Sequence, residues 1–186
     1  MFYISQAVII EELIKKSRFI GIMLPCSHED EVLVLLKQLH EQYYDATHLA
    51  YAYRLKTDNG IIYRFHDAGE PTGTAGKPIF QYVEGKPLIN VLLVVIRYFG
   101  GIKLGAGGLT RAYGQTAKSV IENATLLAYV ELTTLTLTLD YKQLQSLTYW
   151  LKKLDGIIVE QQFSGQVQVI ARLPAVNVES LKQALA

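Results

Sequence analysis

The sequence is poor in the residues that cross-link a chain or cross a membrane. Among its 186 residues are one cysteine, one tryptophan, two methionines and five prolines. A single cysteine, Cys26, excludes an intrachain disulfide and is typical of a protein in the reducing cytoplasm. The longest uninterrupted apolar run, residues 91–96, is far shorter than the roughly 20 residues that a membrane-spanning helix needs. We therefore expect a globular cytoplasmic protein without a membrane segment.

The N-terminus and the repeat pattern exclude further classes. The first 16 residues place their charges after the apolar stretch, which is not typical of a secretory signal. No internal repeat of 20–50 residues and no low-complexity tract is present. Half of the residues are hydrophobic and 19% are charged, as in ordinary globular domains.

Charge is distributed unevenly, although the net charge is only +1. Residues 46–118 contain nine Lys and Arg against four Asp and Glu, whereas residues 1–45 contain four against seven. A local excess of positive charge attracts anionic partners even on a nearly neutral protein. The central segment is therefore the candidate for anion binding; the alternative is an ordinary solvated surface.

The hydrophobic pattern up to about residue 128 predicts strands and helices in mixed order. An N-cap at Ser27 opens a helix that places Val32, Leu36, Leu39 and Tyr43 on one face. A second helix extends from about residue 108 to 127, and residues 66–78 form an irregular loop. The predicted strands cover residues 3–10, 17–24, 47–55, 61–65 and 88–96.

From residue 130 the pattern changes and predicts a second domain. Residues 133–140 alternate apolar and polar, a helix carries leucines at intervals of three or four residues, and two strands joined through Ser164 and Gly165 precede a last helix. This βαββα order indicates a split β-α-β sandwich whose final strand is missing or lies beyond residue 186. We predict an α+β protein with domains at residues 1–128 and 130–186.

Two glycine-rich segments carry the strongest functional signal. The first, RYFGGIKLGAGGLTRAY at 97–113, follows an apolar strand and enters a helix, whose free N–H groups and partial positive charge favour phosphate or carboxylate. Its candidate anion-binding residues are Arg97, Tyr98, Gly100, Gly101, Lys103, Gly105, Gly107, Gly108 and Arg111.

We expect different roles for individual residues of this segment. Arg111 stands in the first helical turn, where a cation is unfavourable to the helix dipole, so we expect it to have a functional role. Gly100 and Gly101 are expected to be structural, and residues 105–108 to lie at the site beside the free N–H groups. The second segment, HDAGEPTGTAGKP at 66–78, contributes the candidates His66, Asp67, Glu70, Thr74 and Lys77.

Common nucleotide and metal motifs are absent. Ala106 follows Gly105 where a Walker A loop requires lysine, and Thr110 replaces the third glycine of a Rossmann fingerprint. His48, His66, Asp67 and Glu70 match no metal-ligand spacing, which favours carboxylates that accept loop N–H groups. Cys26 follows a predicted strand end, which disfavours a nucleophilic role. No metal and no cofactor are predicted.

The two loops together resemble the Impact/YigZ family. Its members carry DDGEP-x-GTAG-x-P, then a strand, then RY(F/Y)GG-x-x-LG-x-GGL-x-(R/K)AY, and residues 66–78 and 97–113 match both. IKKSRFIG at 14–21 and His48 also match, so the resemblance covers residues 1–128 by motif and the remainder by pattern. Ala68 replaces the family's second acidic residue, so the resemblance does not extend to a role that needs paired carboxylates.

The resemblance implies a fold and a cellular context. The N-terminal domain would resemble the second domain of ribosomal small-subunit protein five, and the C-terminal domain would be ferredoxin-like, as in the last domain of elongation factor G. Eukaryotic relatives regulate translation initiation, and bacterial members are linked to nucleic acid or the ribosome. A shared fold does not by itself establish a shared function.

Three functional hypotheses follow. The first is a non-enzymatic protein that binds RNA or a ribosome-associated partner, with Arg97, Lys103 and Arg111 on phosphates and Tyr98 stacked on a base. The second is an enzyme for a phosphorylated small molecule, which requires Glu70 and Lys103 to share one site. The third is a protein-interaction module in which both loops are structural. The sequence leaves the oligomeric state open.

Overall fold

The computed structural model describes residues 1–185 and divides into two compact units, Met1–Tyr129 and a second that begins at Val130. Each unit mixes helices with antiparallel sheet and has its own hydrophobic core. The protein therefore has the predicted α+β class. No helix in residues 1–185 combines the length and the apolar composition that membrane crossing requires.

The first unit is built on one five-stranded antiparallel sheet with helices on both faces. The strand order is β2-β3-β6-β4-β5. The strands are β2 (Val8–Ile14), β3 (Ser17–Pro25), β4 (His48–Thr57), β5 (Gly60–His66) and β6 (Val91–Tyr98). The helices are α1 (Glu29–Gln42), α2 (Gly76–Gly85) and α3 (Ala106–Glu122). A small separate sheet pairs β1 (Phe2–Tyr3) with β7 (Leu127–Ala128).

The central strand β6 is covered on both faces, which explains its continuous apolar sequence. Val91, Leu93 and Val95 belong to the core with α2 and α3, whereas the intervening residues belong to the core with α1. Because successive side chains of a strand point to opposite faces, Arg97 and Tyr98 at its end lie on different sides of the sheet.

The first hairpin differs from the predicted strand over residues 3–10. β2 extends to Ile14, beyond the predicted end at residue 10. It includes the charged residue Glu12, whose carboxylate accepts hydrogen bonds from Thr116 and Ser119 of α3 at 3.1 and 2.6 Å. The turn is only two residues long, and Lys15 and Lys16 have φ of 46° and 66°. Two positive φ values are typical of a type I′ hairpin, which joins twisted strands tightly but usually contains Asn or Gly.

Three helix predictions also need correction. α2 begins within the predicted loop over residues 66–78 and continues into a segment for which we predicted no helix. Pro78 indicates a helix breaker, but proline is tolerated in the first turn of a helix, where an N–H group would have no helical acceptor. α3 ends at Glu122 rather than near residue 127, since the chain then turns to pair with β1. Ser27 does not cap α1: His28 is the N-cap, and the Ser27 N–H donates to Glu31 Oε2 at 2.6 Å.

The second unit has the predicted βαββα order. It consists of β8 (Leu132–Leu139), α4 (Gln143–Lys153), β9 (Ile157–Phe163), β10 (Val167–Pro174) and α5 (Val178–Leu185). The strand order β8-β10-β9 is that of the first three strands of a ferredoxin-like sheet. Its core includes Leu147 and Leu151 of α4 and Val167 and Val169 of β10. Within residues 1–185 no strand follows α5.

Candidate functional site

Both glycine-rich loops line one cleft of about 310 Å³ in the first unit. Glu70 and Pro71 come from the first loop, Phe99 and Lys103 come from the second, and the start of α3 contributes Gly105, Ala106 and Leu109. We call this the loop cleft. The loops adjoin because β5 and β6, which lead into them, both flank β4 and run in the same direction.

A buried ion pair forms the inner wall of the loop cleft. Arg97 is only 5% exposed, and its Nη1 donates to Glu70 Oε1 at 2.8 Å. The hydroxyl of Tyr113 donates to the same oxygen, also at 2.8 Å. Burial and the neighbouring Glu70 carboxylate raise the pKa of Tyr113, so its hydroxyl keeps its proton for this bond. Arg97 is therefore held inside the protein, not on the surface where we expected it to pair with phosphate.

One nitrogen of Arg97 lacks a hydrogen-bond partner among the described residues. Nη2 reaches Ser17 Oγ at 3.4 Å, but the buried Nε has no acceptor. Buried guanidinium nitrogens are normally paired, so such an exception calls for an explanation. Nε is therefore the unsatisfied donor of this ion pair, whose charge is otherwise compensated by the Glu70 carboxylate.

Asp67 organises the first loop. Its Oδ1 accepts the N–H groups of Ala75 and Gly76 at 3.0 and 2.8 Å, and its Oδ2 accepts that of Gly73 at 2.9 Å. Burial alone would raise the pKa of Asp67, but these three donors outweigh it and hold the pKa below its usual value. The sequence predicted that loop carboxylates accept backbone N–H groups, and Asp67 does so. Glu70 instead accepts hydrogen bonds from the side chains of Arg97 and Tyr113.

The histidines lie beside the loop cleft rather than in it. His48 Nδ1 bonds the carbonyl of Ala68 at 2.8 Å, and its Nε2 is 3.8 Å from Glu70 Oε2. His66 stacks on Tyr51 and accepts the Ala68 N–H at 3.1 Å. Both line a separate recess of about 460 Å³. In residues 1–185 no three His, Cys, Asp or Glu side chains are placed to hold a metal.

The start of α3 offers unpaired donors to the loop cleft. Its N-cap is Gly105, no side chain caps it, and its first turn contains no acidic residue. The first helical bond is from the Leu109 N–H to the Gly105 carbonyl, so the preceding N–H groups have no helical acceptor. A methyl group on Gly107 would meet only Arg111 Nη1, at an ordinary 3.7 Å. The fold therefore does not require glycine at position 107.

Other glycines of the second loop are required by the fold. A methyl group on Gly100 would overlap the backbone of Lys16, so β6 can approach the first hairpin only with glycine here. Gly101 and Gly105 have φ of 84° and 72°, which disfavour other residues. Gly108 packs closely against Leu104, with 3.1 Å between its added methyl and the Leu104 Cβ.

The remaining cations lie on two sides of α3, and Arg111 is in its second turn, not in the first turn where we expected it, because the helix begins at Ala106. Lys103 lines the loop cleft, whereas Arg111 lines a larger cleft of about 610 Å³ with Lys15, Gln81 and Tyr82. We call this second cavity the hairpin cleft. Lys103 and Arg111 are exposed and form no ion pair with any residue in 1–185. Of the other first-loop candidates, Lys77 is exposed, and Thr74 donates to the Pro71 carbonyl at 2.7 Å.

Phe99, not Tyr98, is the aromatic residue of the loop cleft. Tyr98 lies on the opposite face of the sheet, where its hydroxyl donates to Asp45 at 2.9 Å and its ring contacts Arg18. Phe99 is 46% exposed and lies 5.5 Å from the Arg97 guanidinium. Sequence reasoning also missed Ser17 and Tyr113 as partners of the ion pair; their place within the matching motifs SRFIG and RAY was the available signal.

Comparison with known proteins identifies the family. Residues 15–121 match the Impact N-terminal domain, and residues 137–186 match a domain of unknown function, DUF1949. The IMPACT family member YigZ of Escherichia coli is 33% identical over 180 residues, which are 96% of this chain and 88% of that protein. YvyE of Bacillus subtilis is 38% identical over 165 residues, 87% of this chain and 71% of that one.

A further relative and a solved structure agree. An IMPACT family member of Thermus thermophilus is 45% identical over 122 residues, 64% of each chain. A crystal structure described as a hypothetical protein is 32% identical in sequence and superposes with a TM-score of 0.70. The match includes 100% of this chain and 90% of that one. On this evidence, together with the two loops, the chain belongs to the IMPACT family.

Proposed function

We propose that this chain is a cytoplasmic, non-enzymatic protein that binds single-stranded RNA phosphates at the start of α3 and acts in translation regulation. One observation carries the proposal: both glycine-rich loops line a single cleft at an uncapped helix start. The resemblance of its motifs to those of translational regulators supports the cellular role. A ribosome-associated assembly would present the same RNA phosphates.

The chemistry of the loop cleft suits phosphate. Free N–H groups at a helix start and Lys103, which forms no ion pair within residues 1–185, both favour a negative group. Lys103 lines the cleft and would pair with the phosphate, whereas Arg97 is hydrogen-bonded to Glu70 and forms part of the cleft wall. Phe99 offers an exposed ring on which a base can stack, a contact worth about 1–3 kcal/mol.

The same contacts support binding rather than catalysis. Glu70 Oε1 already accepts two hydrogen bonds, from Arg97 and Tyr113. Ala68 replaces the second acidic residue of the motif, so the first loop offers no paired carboxylates for acid–base chemistry.

A salt titration of RNA binding tests the proposal. Lys103→Ala and Arg111→Ala should each weaken binding and reduce the salt slope of log K by about 0.7, the value for one phosphate contact on a single strand. Lys118→Ala is the matched control, because Lys118 lies on the same helix, about 18 Å from its start by helical rise. Unchanged slopes in both test variants would contradict the proposal.

Affinity purification from cells at low salt distinguishes RNA from protein partners. Half of the sample is treated with nuclease before washing. We expect co-purifying partners to be lost from the treated half. Retention of the same proteins after nuclease treatment would favour a protein-interaction module instead.

An enzyme acting on a phosphorylated small molecule is the second candidate. It is favoured by one observation, that Glu70 and Lys103 line the same cleft. Under this hypothesis Glu70→Gln abolishes turnover, whereas Lys103→Ala mainly raises KM. Incubation with phosphate monoesters followed by mass spectrometry tests it; no product from any of them would remove this candidate.

A further inference from the structure

The hairpin cleft is a second cavity on the other side of the α3 start. Its walls come from the tip of the first hairpin, from α2 and from the first turns of α3, and Leu104 borders both clefts. Its volume of about 610 Å³ exceeds that of the loop cleft. Ile14 and Lys15 belong to the motif at 14–21, and Arg111 belongs to the second glycine-rich segment, but the sequence did not show that they line one cavity.

The side chains around the hairpin cleft have the chemistry of a nucleotide site. Lys15 and Arg111 supply two cations, neither in an ion pair within residues 1–185, and no Asp or Glu lines the cavity. Gln81 supplies an amide that forms no hydrogen bond within these residues and can pair with a base edge. Tyr82 supplies an aromatic ring that is 38% exposed.

Two backbone features hold these groups in place. Gly114 leaves room for the Tyr82 ring, since a methyl group there would lie 3.1 Å from its Cε2. Lys15 is the first residue of the two-residue hairpin turn, with a φ of 46°, and it lines the edge of the cavity.

We infer that the hairpin cleft binds a nucleotide, with its base on Tyr82 and Gln81 and its phosphate near Lys15 and Arg111. Arg111 Nη1 lies beside Gly107, so this phosphate would be next to the one at the start of α3. The occupant is then the adjacent nucleotide of the same RNA strand. This last step rests on the proposed function, whereas the nucleotide chemistry of the cavity does not.

Binding to oligoadenylate and to an abasic RNA of equal length tests the inference. Tyr82→Leu keeps an apolar side chain over Gly114 but removes the ring; it should weaken oligoadenylate binding roughly five-fold or more and leave abasic binding unchanged. Tyr82→Phe should bind as wild type. Lys15→Asn, which tolerates positive φ, should reduce the salt slope for both oligomers by about 0.7.

The outcomes separate this inference from the proposed function. If Lys103→Ala weakens both oligomers but Tyr82→Leu weakens neither, the hairpin cleft is not a nucleotide site and the proposed function stands. If Tyr82→Leu weakens binding of free adenosine 5′-monophosphate while Lys103→Ala changes nothing, the cavity takes a free nucleotide and the loop-cleft proposal fails. Equal weakening of oligoadenylate and abasic RNA by Tyr82→Leu would overturn the role of Tyr82 as a base platform.

Discussion

Arg97 and Glu70 join the two glycine-rich loops through a buried hydrogen bond of 2.8 Å between Nη1 and Oε1. The two residues are 27 positions apart in the chain, and both side chains are almost completely shielded from water. The pair links Glu70, which follows Gly69 in the first loop, to the end of β6, where the second loop begins. It fixes the relative position of the loops, and therefore the width of the cleft between them.

Removal of the Glu70 charge should destabilise the first unit. Glu70→Gln keeps the shape but leaves Arg97 as a buried charge without its counter-ion, which typically costs about 3 kcal/mol or more. Hydrogen exchange in urea, read on peptides from residues 1–129, measures the effect. Glu122→Gln is the control, because Glu122 forms only an exposed pair with Lys118. Equal effects of the two substitutions would show that the buried pair is not structural.

Asp67 should make the stability of the first unit depend on acid pH. Its folded pKa is lowered, so its contribution is complete above the unfolded pKa of about 3.9 and is lost as pH falls through the lower folded pKa. In Asp67→Asn this part of the acid dependence should be absent, and stability at neutral pH should fall by about 2 kcal/mol. Urea unfolding from pH 2 to 7 compares the two proteins; parallel curves would contradict this role.

The glycines of the second loop should separate into two classes. Gly100→Ala should prevent stable folding because the methyl group overlaps Lys16, and Gly101→Ala should cost about 1 kcal/mol or more because its φ is 84°. Gly107→Ala should melt no earlier than wild type yet bind RNA more weakly. Thermal melts and RNA titrations measure both properties. Early melting with wild-type affinity in Gly107→Ala would make this glycine structural.

Cys26 should be unreactive while the first unit is folded. It is 4% exposed, and burial, followed by the neighbouring Glu31, raises its pKa to about 12. The nucleophilic thiolate is therefore scarce at pH 8. Iodoacetamide should label the native protein far more slowly than the urea-unfolded protein, as measured by intact mass. Rapid labelling of the native protein would show that the α1 face opens readily.

Local patterns in the sequence were enough to predict most elements. The face of α1 with Val32, Leu36 and Leu39, the strands around residues 58–60 and the βαββα order of the second unit all follow from periodicity, because burial on one face imposes a repeat on the residues themselves. α2 was not predicted, because Pro78 near its start is typical of a helix breaker. The predicted end of β2 was wrong, because the charged Glu12 is accommodated in the strand by hydrogen bonds from α3.

The site depended on contacts that periodicity does not encode. The sequence by itself determined the two glycine loops, their cations and the family to which they point. Only the tertiary structure decided that Arg97 lies inside with Glu70, that Phe99 rather than Tyr98 lines the loop cleft, and that Arg111 lies in a different cavity from Lys103. The physical reason is that sheet pairing and helix packing select which face each side chain occupies, and these choices join residues that are distant in the chain.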